Sequence, residues 1–135
     1  MSPKTAKAPT LALGNLTYLI LYAQDVLKSV AYYRDTLGMK VKGEVNEFWT
    51  ELDAGACTLA LHKAEKPLSP SAEGPTPVFH VADVRAAHAA LKTLGVKPSD
   101  LHQVCEMGEQ VGLSSDFRDP DGNRLSVFGL VKKGS

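Results

Sequence analysis

The hydrophobic period of the chain changes twice before residue 64. Over residues 16–23, Leu19 and Leu21 share one parity, while Tyr18, Ile20 and Tyr22 share the other. That two-residue period predicts a strand. Asp25 is placed to cap a helix that begins at once, and Val26, Val30, Tyr33 and Leu37 form an apolar stripe at helical spacing. Gly38 suits the position just past a helix end. Short runs over 39–44, 47–53 and 57–63 then predict three strands, with the only tryptophan, Trp49, in the second. In the third, Leu59 and Leu61 alternate with Thr58, Ala60 and His62.

Residues 64–75 hold Pro67, Pro70, Gly74 and Pro75 and read as a linker. The pattern then begins again. A strand is predicted over 77–82, with Phe79 and Val81 on one face and Val78 and His80 on the other. Asp83 caps a helix whose stripe is Val84, Ala87, Leu91 and Leu94, and Gly95 closes it. Strands follow over 101–106, 111–117 and 123–131. The motif Ala23-Gln24-Asp25-Val26 returns as Val81-Ala82-Asp83-Val84, and Thr36-Leu37-Gly38 returns as Thr93-Leu94-Gly95. This is an internal repeat that aligns Tyr22 with His80.

The predicted architecture is therefore α+β: two βαβββ modules at about 14–63 and 76–131 forming a concave mixed sheet. Residues 1–13 are expected to be a flexible tail, and 132–135 a second tail. Each module has one helix for its sheet, so each sheet keeps an open face. Those faces have to be covered by each other or by a partner chain.

The strongest local signal is Asp119-Pro120-Asp121-Gly122-Asn123. Proline pre-sets φ, glycine supplies a positive φ, and the Asp and Asn side chains bond back to the backbone. Apolar runs flank this turn, so it joins antiparallel strands. In the strand behind it, Leu125 and Val127 point one way and Arg124, Ser126 and Phe128 the other.

Composition narrows the function classes. The 15 basic and 15 acidic residues cancel, so no basic field exists for nucleic acid or an anionic membrane surface. No run is long and apolar enough for a membrane span. Cys57 and Cys105 are far apart and read as free thiols, which fits a cytoplasmic protein. No glycine-rich phosphate loop, nucleophile elbow or zinc-spaced cysteine pair is present.

Four features carry a family resemblance: the strand into Asp25-Val26, the helix end Tyr32-Tyr33-Arg34-Asp35-Thr36-Leu37-Gly38, the repeated strand into Asp83-Val84, and the turn 119–123. Together they make the chain resemble the vicinal oxygen chelate superfamily, which includes glyoxalases, bleomycin-resistance proteins and extradiol dioxygenases. The resemblance implies a cup-shaped site holding a divalent metal through His or Glu ligands on the first and fourth strands of each module. By that pattern the ligand positions fall on Tyr18, Ala60, Thr76 and Ser126. These are not imidazoles or carboxylates, so the expectation is a cup with no metal and no other cofactor.

The expected function is binding of a small organic molecule, similar to that of the antibiotic-binding resistance proteins, in a cytoplasmic homodimer. The expected wall is Tyr18, Tyr22, Trp49, His62, His80, Arg124, Ser126 and Phe128. Aromatic rings suit a flat ligand, and Arg124 suits a carboxylate or phosphate. The alternative is a glyoxalase-like lyase or isomerase in which His62, His80 and Glu51 handle protons or hold a displaced divalent ion.

Overall fold

A computed structural model describes residues 11–12, 15–69 and 74–135. The expected N-terminal tail is mostly outside the described residues, as are positions 70–73 of the linker. The elements are β1 (Tyr18–Ala23), α1 (Val26–Ala31), β2 (Val41–Lys42), β3 (Trp49–Ala54), β4 (Cys57–Lys63), β5 (Val78–His80), α2 (Val84–Thr93), β6 (His102–Met107), β7 (Gln110–Arg118) and β8 (Arg124–Lys132).

They form two four-stranded mixed sheets with one topology, β1-β4-β3-β2 and β5-β8-β7-β6. The repeat holds down to register. Ile20 lies opposite Ala60 in the first parallel pair, and Val78 lies opposite Ser126 in the second. Asp25 and Asp83 cap the two helices, accepting from the Lys28 and Ala86 N–H groups at 3.1 and 3.0 Å.

Several boundaries differ from the sequence expectation. The first helix turns into a π-helical stretch over Tyr32–Thr36, where the Leu37 N–H reaches the Tyr32 carbonyl. The wide turn places two adjacent tyrosines against one partner: the Tyr33 hydroxyl donates to Asp119 at 2.7 Å and the Tyr32 hydroxyl donates to the Arg118 carbonyl. The strand expected over 39–44 shrinks to two residues because Gly43 takes a φ of 74°. The strand expected from 47 starts at Trp49 because the Asn46 side chain caps the Phe48 N–H in a local turn.

The apolar parity of β1, β3, β4, β7 and β8 joins the core beneath the helices. Leu21, Leu52, Leu59 and Leu61 of the first sheet, with Val26 and Val30 of α1, share one buried cluster with Val84, Leu91, Phe117, Leu125 and Val127 of the second module. Tyr33, fully buried, sits where the modules meet. A cavity of about 240 Å³ is walled by Leu37 and Met39 from one module and Phe79, Ala90 and Leu91 from the other. The helical sides of the modules are thus packed on a common core, and the opposite sheet faces look away from it.

The turn 119–123 locks this arrangement. The carboxylate of Asp119 is 5% exposed and accepts from Tyr33, from the Asp121 and Asn123 N–H groups and from the Asn123 side-chain amide. Asp121 accepts from the Gln24 N–H at 2.9 Å, and the Asn123 amide also donates to the Tyr22 carbonyl. Burial, reinforced by the nearby Asp119 charge, pushes the Tyr32 phenol up to about 12 and the Tyr33 phenol well above its usual range.

Candidate functional site

The open face of the first sheet is an aromatic platform. Tyr18, Ile20 and Tyr22 point outward from β1, and Tyr18 and Tyr22 keep 45% and 48% of their surface. Register brings their neighbours alongside: Tyr22 is opposite His62, and His62 is opposite Trp49 on its other side. The rings stand in a chain, with centroids 5.3 Å apart for Tyr22–His62, 5.8 Å for His62–Trp49 and 6.0 Å for Trp49–Tyr18. Edge-on and tilted contacts of this kind fix ring orientation. The Trp49 indole N–H donates to Glu51 at 3.0 Å, and His62 Nδ1 donates to the Lys63 carbonyl at 2.7 Å.

The open face of the second sheet is more polar. Arg124 pairs with Asp116 at 2.8 Å. Partial burial works to raise the Asp116 carboxyl. Hydrogen bonds from Arg124 and Ser126, with the charges of Arg124 and His102, outweigh it and hold the group below the usual carboxylate range. The hydroxyls of Ser114 and Ser126 share a 2.7 Å hydrogen bond, and Ser126 also donates to the Ser115 carbonyl. His80 lies 6.5 Å from the Phe128 ring, and that ring lies over Gly112, where a Cβ would come within 2.6 Å of it.

The expected wall is therefore divided. Tyr18, Tyr22, Trp49 and His62 stand together on one sheet, while His80, Arg124, Ser126 and Phe128 stand on the other. A groove of about 380 Å³ is lined from one group by Tyr22 and from the other by Arg124, together with Ile20, Pro77 and Asn123. Ser126 lies on this face but is 3% exposed, with its hydroxyl engaged by Ser114 and the Ser115 carbonyl.

His62, His80 and Glu51 are not brought together either. His62 sits at the Trp49 end of the β3–β4 hairpin, whereas His80 lines a groove beside Ala54 and Gly55 at the other end. Among the described residues no three His, Cys, Asp or Glu side chains converge on a point where an ion would sit. The family's four ligand positions carry a half-exposed phenol (Tyr18), a buried methyl (Ala60), a hydroxyl that donates to the Gly74 carbonyl (Thr76) and the engaged Ser126 hydroxyl. This donor set does not fit a divalent ion, which wants carboxylate, imidazole or thiolate.

Two residues were not anticipated from sequence. Asp116 neutralises Arg124, which the parity of β7 alone does not reveal. Lys42, on the short edge strand β2, extends across β3 so that its ammonium donates to the Thr58 hydroxyl at 2.7 Å. Only the register of β2 against β3 places it on the aromatic face.

A strand-helix-three-strand unit is thus used twice, with one open face per sheet. Residues 15–127 match the model of the Glyoxalase/Bleomycin resistance protein/Dioxygenase superfamily, and the chain belongs to that family. The chain is similar to lactoylglutathione lyase from Agrobacterium tumefaciens, with a TM-score of 0.66 and 20% identity over 87% of this chain and 94% of that one. It is also similar to a glyoxalase/bleomycin resistance protein/dioxygenase from Alicyclobacillus acidocaldarius, with a TM-score of 0.67 and 18% identity over 85% and 90% of the two chains. At these identities the likeness is one of fold. Among the described residues no helix is long and apolar enough to cross a membrane.

Proposed function

We propose that the chain binds a small aromatic molecule without a bound metal, in the manner of antibiotic-binding resistance proteins, within a cytoplasmic homodimer. The observation that carries this reading is the exposed ring chain Tyr22–His62–Trp49–Tyr18, set on the open face of the first sheet. A monomer that leaves Tyr18, Ile20, Tyr22 and Val78 between 39% and 59% exposed carries an unusual apolar load for a free surface. Because the modules of one chain share their helical sides, each open sheet meets an open sheet only from a second copy. Twofold pairing then joins the aromatic face of one protomer to the polar face of the other.

Trp49 is the only tryptophan, so its fluorescence reports this one site. Screening aromatic acids and aromatic antibiotics should find compounds that perturb Trp49 emission and raise the melting temperature. Trp49→Ala should abolish the thermal shift, and a chelator should leave it unchanged. A shift that survives Trp49→Ala places the ligand elsewhere, and one that disappears with chelator overturns the metal-free reading. Sedimentation at tens of micromolar should give a dimer; a strict monomer there rules out the shared cup.

A further inference from the structure

The ammonium of Lys42 is the one cation on the aromatic platform for which the described residues provide no ion-pair partner. Its side chain crosses the face and donates to Thr58, which stands directly opposite Tyr18 on the neighbouring strand. Three carboxylates lie near its path, and none of them comes within ion-pairing distance. Glu51, opposite Lys42 in the register, accepts the Trp49 indole N–H, and Asp53 accepts the Gly55 N–H at 2.9 Å. Glu44 lies at the rim of the groove that Lys42, Trp49 and Glu51 also line. The other cation expected in the cup, Arg124, is already paired with Asp116.

Thr58 is 6% exposed, so Lys42 crosses a largely covered patch of sheet to reach it. Beside it on the same face stands the Tyr18–Trp49 ring pair, with centroids 6.0 Å apart. We propose that Lys42 is the oxygen-binding cation of this cup. The ligand class is then a planar aromatic anion: its ring lies against Trp49 and Tyr18, and its carboxylate or phenolate oxygen accepts from Lys42. A compact ammonium held by one hydroxyl keeps two further N–H donors for such an oxygen. This deepens the reading above and rests on it.

The test is calorimetric titration of the full chain with 2-naphthoate, its neutral isostere 2-naphthamide and the cation 2-naphthylmethylammonium. The wild type should bind the anion about tenfold more tightly than the amide, as expected for one charge-assisted hydrogen bond. Lys42→Met keeps the apolar stem and should lose that preference while keeping amide affinity and melting temperature. Lys42→Arg should retain most of it, which also covers the case that the methionine variant fails to fold. Equal binding of anion and amide by the wild type, survival of the preference in Lys42→Met, or tightest binding of the cation overturns the role of Lys42 while leaving the aromatic site standing. If none of the three probes binds, the aromatic site is wrong and the role of Lys42 falls with it.

Discussion

Asp119→Ala is expected to lower the melting temperature by about 10 °C, a loss of roughly 3 kcal/mol in a domain of this size. The substitution removes the acceptor of four hydrogen bonds at once. It strands the Tyr33 hydroxyl in a site with no solvent access, and it unties the turn that starts β8. Tyr33→Phe is the contrasting case. It removes one of those bonds and leaves Asp119 with three donors, so its cost should be near 1 kcal/mol. Thermal unfolding followed by circular dichroism measures both. A shift below about 3 °C for Asp119→Ala, or a larger one for Tyr33→Phe, removes Asp119 from the centre of this network.

Gly129→Ala comes next in size. A Cβ at 129 would stand 2.8 Å from the Val81 carbonyl oxygen and 2.9 Å from Cβ of Val84. The first is backbone and the second opens α2 in the fully buried core, so relief requires moving the helix off β8. Overpacking of that kind costs about 2–3 kcal/mol. Gly112→Ala meets an even closer overlap, 2.6 Å, but with the Cys105 sulfur and the Phe128 ring, which are side chains near an open face. Phe128 can swing away, so about 1 kcal/mol is expected there. Urea midpoints should therefore fall further for Gly129→Ala than for Gly112→Ala. The reverse order would mean that α2 yields more easily than a surface ring.

Much of the fold was legible because its signals are local. The parity of Leu19 and Leu21 against Tyr18, Ile20 and Tyr22 depends on one strand alone, and so does that of Leu125 and Val127 against Arg124. The Asp caps, and the bonds within the turn 119–123 from the Asp121 and Asn123 N–H groups to Asp119, are made between near neighbours, and the repeat supplied the topology. Features that depend on distant partners were not legible. The π-helical stretch at Tyr32–Thr36 answers a carboxylate 86 residues away. The Arg124–Asp116 pair needs the β7–β8 register, and the reach of Lys42 needs two strand pairings at once. The division of the expected wall between two outward faces follows from how the helical sides pack, which a strand pattern does not encode.

The bond between Tyr33 and Asp119 also sets an order of events in synthesis. The first module leaves the ribosome complete in its strands and helix, yet its buried phenol has no acceptor until Asp119, 86 residues beyond Tyr33 in the chain, has been made. Until then its core face, which includes Val30, Leu59 and Leu61, has no second module to close on. The two halves are repeats in sequence, yet they share one buried core. Cutting the linker would separate two pieces that each lack part of one core.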